Sequence, residues 1–387
     1  MPKIVHVVGA RPNFMKIAPI IGALADYPSI TQRLVHTGQH YDHKMALVFF
    51  EELGLPRPDR DLGVGSGSHA EQTAAVMVRF EAVVAEERPD LVVVVGDVNS
   101  TLAAALVAAK MGVPVAHVEA GLRSFDLTMP EEINRLVTDR LSAILLAPSA
   151  DGAVNLRREG VSERAIFVVG NVMIDTLMAH RATAPWPEVQ AALALTDRGY
   201  AVLTLHRPAN VDDPARLRTL VERLQRIAAH MPIVFPIHPR TARRLEEQGL
   251  RGESDGLRLV DPLGYREFVA LMDHAACVLT DSGGIQEETT VLGVPCFTLR
   301  DNTERPVTID EGTNTLVMAD GRLLPAAVDD LLRTGGKRGR IPDLWDGHAG
   351  RRTAHILARH LGVEAAEPAA VSGGASVSRL AAHEPPL

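Results

Sequence analysis

Two hydrophobic patterns alternate along the chain. Short apolar runs predict strands at Lys3–Val8, Leu34–Thr37, Leu91–Val95, Val115–Glu119 and Ile144–Ala147. Between them, longer mixed stretches predict helices over Phe14–Asp26, about His43–Leu53, about His69–Glu87, Thr101–Met111 and Pro130–Leu141. Leu91–Val95 is apolar throughout, as in a strand covered on both faces. Pro56–Ser68, rich in Gly and Pro, reads as a loop. Ala182–Pro187 interrupts the alternation and is the candidate linker. The pattern then restarts, with strands at Ala201–Leu205, Ile233–Ile237, Leu257–Val260, Cys277–Thr280 and Cys296–Leu299. Helices such as Pro214–His230 and Ile285–Leu292 fall between them. This alternation predicts an α/β protein of two Rossmann-like, doubly wound domains facing a cleft. The expected division is residues 1–172 and 173–349. From Glu364 the chain is Ala, Gly, Ser and Pro with little to bury, so 364–387 reads as a disordered tail.

In such sheets ligands sit beyond the carboxyl ends of the strands. Arg11 and Lys16 follow the first strand, Asp97 and Glu119 later ones, and His206-Arg207 and His238 the restarted set. The stretch Val278–Glu288 joins a strand to a helix through Ser282-Gly283-Gly284. Bare backbone amides and the positive end of a helix dipole make such a turn an anion seat. Any one of the strand-end residues alone reads more readily as a solvated loop group. Together, nearly every strand ends in an ionisable or anion-binding group. Glu131 is a separate case, because an acidic residue in a first helical turn is explained by the helix dipole.

Composition narrows the function. The chain has 387 residues, 46% hydrophobic and 23% charged, a globular profile. Its net charge of −8 disfavours a nucleic-acid partner. No apolar run approaches the ~20 residues of a membrane helix, and the first strand begins almost at once, where a signal peptide would otherwise stand. The two cysteines, Cys277 and Cys296, lie in apolar strands and fit a reducing cytoplasm. Gly63–Ser68 imitates a dinucleotide fingerprint but follows no strand and ends in Ser, so a tightly bound NAD is not expected. Neither a Walker A sequence nor His-Glu-x-x-His occurs.

Several segments carry a resemblance: Gly9-Ala-Arg-Pro12 with Lys16, Gln39-His40, Gly96-Asp97, His117–Arg123, Pro130–Arg135, Gly170-Asn171, His206-Arg207, Asp281–Glu288 and Thr303–Pro306. In this order, over about residues 3–361, the chain resembles the non-hydrolysing UDP-N-acetylglucosamine 2-epimerases. The resemblance implies the two-domain GT-B architecture, with about 350–361 returning to the first domain. It implies Asp97, Glu119, Glu131 and His206 as catalytic groups. It implies Arg11, Lys16, Phe268, Ser282, Gly283, Gly284, Glu288 and Arg305 as the grip on UDP. It also implies a homodimer, no redox cofactor and no metal. Gln39, His40 and His238 match part of a second site, where UDP-N-acetylglucosamine acts as an activator.

Departures keep the substrate open. Gly9-Ala-Arg-Pro-Asn13 stands where relatives often have Gly-Thr-Arg-Pro-Glu. Pro208-Ala209 replaces a common Arg-Glu, and Leu263 replaces a glutamine. UDP-2,3-diacetamido-2,3-dideoxyglucuronic acid is an alternative substrate. A hydrolysing epimerase, a glycosyltransferase of the same fold and a nucleotide-sugar sensor are alternative functions.

Overall fold

The computed structural model describes residues 1–39, 50, 52–250 and 256–364. Its organising elements are two all-parallel sheets. The first has seven strands: β1 (Lys3–Val8), β2 (Thr31–His36), β3 (Arg60–Asp61), β4 (Leu91–Val95), β5 (Val115–Val118), β6 (Ile144–Ala147) and β7 (Ile166–Val168), in the order β3-β2-β1-β4-β5-β6-β7. The second has six: β8 (Ala201–Thr204), β9 (Ile233–Pro236), β10 (Leu257–Val260), β11 (Cys277–Thr280), β12 (Cys296–Thr298) and β13 (Asn314–Leu316), in the order β10-β9-β8-β11-β12-β13. Each sheet grows outward from its first strand in one direction and then in the other. The crossover points lie between β1 and β4, and between β8 and β11. Loops on either side diverge there, which opens a crevice at the carboxyl ends of those strands.

Burial follows the apolar pattern. Every residue of Leu91–Val95 is buried, because helices cover both faces of β4. One core runs through both halves, and the helix Val172–Arg181 is its hinge pin. That helix packs on Arg11–Leu24 of the first half and on Tyr265–Asp273 and Gly283–Leu292 of the second. Arg181 pairs with Asp273 at 2.7 Å along the same seam. The helix Ala349–His360 lies against Arg11–Leu24, and Trp345 just before it donates to Pro148 O at 2.9 Å.

The expected elements are present, with corrections. The first helix begins at Arg11 rather than Phe14. Proline is tolerated in a first helical turn, where its missing N–H has no partner in any case. Asn13 then accepts from the amides of Gly9 and Ala10, both at 3.0 Å, and holds the turn. The loop Pro56–Ser68 contains the two-residue strand β3, paired with β2. The short edge strands β7 and β13 are additional to the expected set, because three residues each are too few to show a pattern. Trp186 and Pro187 open the helix Trp186–Leu193, so only 182–185 separates it from Val172–Arg181. Most of the helix expected over His43–Leu53 lies outside the described residues, as do His40 and the tail beyond Glu364. Cys277 and Cys296 are free and buried on neighbouring strands, and burial pushes the Cys296 thiol up to about 11. No helix among the described residues is long and apolar enough to cross a membrane.

Candidate active site

In the first half, the ends of β4 and β5 bring two carboxylates into the crevice. Asp97, half-buried, follows Gly96, whose φ of +69° turns the chain sharply off the strand. The Arg135 guanidinium, itself buried, pairs with Asp97 and with Glu132, the latter at 2.6 Å. Asn134, from the same helix Pro130–Leu141, donates to Asp97 O at 2.8 Å. Glu119 is the residue after β5 and is 5% exposed, with φ at +75°. A non-glycine residue in that region is held there by its surroundings. Its Oε2 meets Lys16 Nζ, from the first helix, in a short buried ion pair.

The second half builds its side of the crevice from β8 and β11. Their register sets Thr204 beside Thr280. The residues just beyond, His206 and Asp281, therefore meet: Nδ1 lies 2.8 Å from Asp281 Oδ1. Asp281 is fully buried and also accepts from the amides of His206 and Arg207 and from Asn210 Nδ2, at 2.9 to 3.2 Å. Burial alone would raise its pKa. The His206 ring, the Arg207 amide and Asn210 outweigh burial and hold the carboxyl below its ordinary range. The ring itself is 57% exposed, so Asp281 orients it while its far edge faces the open crevice.

Beyond Asp281 the chain turns through Ser282 into the helix Gly283–Leu292. A side chain at Gly283 would put Cβ 2.4 Å from Arg305 Nη1, so this close passage requires glycine. One turn later Glu288 accepts from Tyr265 Oη at 2.7 Å, and the charge of Arg11 acts on it. Burial raises Glu288 to about 7, against the opposing pull of Tyr265 and Arg11.

Arg305 joins the two halves. Its Nη2 lies 3.1 Å from Glu119 Oε1, its Nε 2.8 Å from Glu287 Oε1, and Nη1 pairs with Glu304. Asp97 is also within reach of its charge. Burial pushes the Glu287 carboxyl up, opposed by Arg305. Glu304 stays low despite its burial, because Arg305, Arg300 and Arg207 surround it. Arg207 feels the charges of Glu131 and Asp281 as well, which ties the first-turn acid Glu131 to the His206 side of the crevice.

Of the residues expected from the sequence, Asp97, Glu119, Lys16 and Arg305 belong to one charge network. Glu131 lies within Coulombic range of Arg207, next to His206, and Arg11 within that of Glu288. Lys16 pairs with Glu119, and its charge also reaches Glu287 in the helix after the Ser282–Gly284 turn. Phe268 is half-buried on the helix Tyr265–Asp273. His238 caps the helix Pro239–Glu247 through the Arg240 amide at 3.2 Å. Burial lowers its pKa, with His206 and Arg11 adding to the effect. Gln39 accepts from Ser100 Oγ at 2.6 Å, and His40 is outside the described residues. The sequence gives no separate role to Asp281, Arg135, Tyr265 or Glu304. Asp281, Arg135 and Glu304 lie in segments that carry the resemblance, and Asp281 is also the first residue after an apolar strand.

Two doubly wound sheets whose carboxyl ends meet across an acid-lined, arginine-bridged crevice form the GT-B arrangement of nucleotide-sugar enzymes. The chain belongs to the non-hydrolysing UDP-N-acetylglucosamine 2-epimerase family, whose profile, described as UDP-N-acetylglucosamine 2-epimerase, matches residues 22–358. It is 45% identical to the UDP-N-acetylglucosamine 2-epimerase of Methanocaldococcus jannaschii, over 92% of this chain and 98% of that one. It is 42% identical to the UDP-2,3-diacetamido-2,3-dideoxy-D-glucuronate 2-epimerase of Pseudomonas aeruginosa, over 92% and 99%. The crystal structure of the M. jannaschii enzyme with UDP-GlcNAc and UDP superposes with a TM-score of 0.85 at 44% identity, covering 92% of this chain and 99% of that one. That of the Neisseria meningitidis enzyme bound to UDP-GlcNAc also gives 0.85, at 30% identity, covering 92% and 100%.

Proposed function

We propose that this protein interconverts UDP-N-acetylglucosamine and UDP-N-acetylmannosamine by eliminating and re-adding UDP. The observation that carries this reading is the convergence of buried carboxylates on Arg305 at the mouth of both sheets. C2 of the sugar has no neighbouring carbonyl to acidify its proton. Departure of UDP builds positive charge at C1, and that charge acidifies C2–H. A carboxylate among Asp97, Glu119 and Glu131 takes the proton, the C–H pair becomes the C1=C2 bond, and the C1–O pair leaves with UDP. His206, oriented by Asp281, stabilises the departing phosphate. Arg11, Lys16 and the Ser282–Gly284 turn hold the diphosphate, Glu288 takes the ribose hydroxyls, and Phe268 lies by the uracil. A proton then returns to C2 from the opposite face and the UDP oxygen re-forms the bond to C1. Electrons balance within the sugar and UDP, so no hydride carrier takes part.

Incubation with UDP-N-acetylglucosamine in heavy water, followed by NMR, tests this. The expected products are both epimers, deuterated at C2 with UDP attached. Free sugar means hydrolysis, and no exchange means a transferase or sensor. A second substrate, UDP-2,3-diacetamido-2,3-dideoxyglucuronic acid, is supported by the Pseudomonas aeruginosa relative. A kcat/KM comparison of the two sugars decides between them.

We further infer two domains, 1–172 with about 350–361 and 173–349, and a cytoplasmic homodimer. Exposed Val78, Ile133 and Val137 on first-half helices support the dimer, and light scattering reads its mass. Activation by a second UDP-N-acetylglucosamine near Gln39, His40 and His238 predicts a sigmoidal rate curve.

A further inference from the structure

We propose that the buried pair His117–Asp139 is a positioning unit that sets Asp97 and Glu119 relative to one another, an inference that rests on reading those carboxylates as the proton-transfer groups. His117 sits in β5, two residues before Glu119, and is fully buried. Its Nδ1 lies 2.6 Å from Asp139 Oδ1 and its Nε2 2.8 Å from Gly96 O. A carboxylate and a carbonyl only accept, so the ring donates from both nitrogens. The second contact fixes the peptide that precedes Asp97.

Asp139 reaches the other turn with its second oxygen. Oδ2 accepts from the Gly121 amide at 3.0 Å and pairs with Arg123 Nη2 at 2.7 Å. Gly121 has φ +82°, and a Cβ there would lie 2.3 Å from Gly152 O, so the turn is seated tightly on the helix Ala150–Arg158. This anchor lies two residues beyond Glu119, whose own left-handed backbone needs holding. Burial would raise the Asp139 carboxyl, but His117 and Arg123 hold it below its ordinary range. Asp139 belongs to the helix Pro130–Leu141, which also presents Glu131 and the Arg135 that grips Asp97. One carboxylate thus references the turns after β4 and β5 to the helix that carries the third acid. The UDP grip lies largely in the other sheet and has no contact with this unit among the bonds described.

The test uses the full chain with His117→Asn, His117→Gln and Asp139→Asn. Asparagine reproduces a donor at the Nδ1 position and loses the one to Gly96 O. Glutamine does the opposite. For His117→Asn and Asp139→Asn the expected result is a kcat lower by about 10- to 100-fold. C2 deuterium exchange falls in step, while the Kd for UDP stays within about twofold. His117→Gln recovers at least part of the rate. Folded His117→Asn and Asp139→Asn proteins with kcat within twofold of wild type overturn the proposal. So does an equal loss in His117→Asn and His117→Gln together with weaker UDP binding, which marks a merely structural role. If Asp139→Asn does not fold, the two His117 variants decide. Asp97→Asn is measured alongside. If it stays active, the reading of the carboxylates fails; if it is inactive while His117→Asn is normal, only the positioning role fails.

Discussion

Replacing Asp281 with asparagine isolates the histidine from its partner with little change in shape. Asp281 receives four donors: the His206 amide, the Arg207 amide, Asn210 Nδ2 and the His206 ring. An asparagine offers one oxygen and one NH2. With its NH2 toward Arg207 and Asn210, two buried donors face another donor, at about 1–3 kcal/mol each. With its NH2 toward His206, those bonds survive but the ring must accept at Nδ1, which moves the neutral ring's proton to Nε2. The second arrangement is the cheaper one. It leaves an Nε2–H toward the leaving phosphate but removes the carboxylate that lets the ring donate from both nitrogens, a charge-assisted bond of about 1.5–3 kcal/mol, or about 10- to 100-fold in rate. The expected result is a kcat lower by about 10- to 100-fold. Because a catalyst cannot move the equilibrium, the loss in kcat/KM must be equal from either epimer. Initial rates by NMR from both substrates, with UDP titration calorimetry, measure this. A kcat within twofold of wild type, or a loss matched by weaker UDP binding, would refute the assigned role of His206.

Other perturbations probe the bridge and the grip. Gly283→Ala puts a methyl 2.4 Å from Arg305 Nη1 and must displace that guanidinium by about 1 Å, for about a 10²-fold lower kcat. Gly284→Ala, whose nearest neighbour is Met173 Cε at 3.7 Å, should leave the melting temperature unchanged. Arg305→Met strands Glu287 and takes one partner each from Glu119 and Glu304, which keep Lys16 and Arg300, and should cost about 3–5 kcal/mol, read by calorimetry. Arg305→Lys should not rescue it, because an ammonium lacks the fork that meets three carboxylates. Glu288, raised from 4.5 to about 7, keeps a proton that the unfolded chain loses, so it lowers stability as pH climbs through that window. The ribose grip needs its ionised form, so UDP affinity should rise with pH toward and past about 7. Glu288→Gln should flatten both profiles, and an unchanged slope in either would contradict the assignment.

The alternation of apolar runs was enough to establish two wound sheets, because a strand covered on both faces leaves a five-residue signature in Leu91–Val95. It also placed Asp97, Glu119, His206 and the Gly283 turn at strand ends, where position along the chain and position in the crevice coincide. The resemblance then added what periodicity does not carry, including Arg305 and the substrate. Partnerships were illegible. Asp281 meets His206 across 75 positions and Arg305 meets Glu119 across 186, and only the strand order and the approach of the two sheets create those distances. Nor does periodicity separate Glu131 from Glu132, which only the resemblance tells apart. The first lies within Coulombic range of Arg207, while the second is buried against Ser124, Phe125 and Arg135. Local sequence sets where each strand and turn begins, because backbone preference and burial are local. Which charges confront one another is a property of the closed fold, since Coulombic contact depends on distance through space and not along the chain.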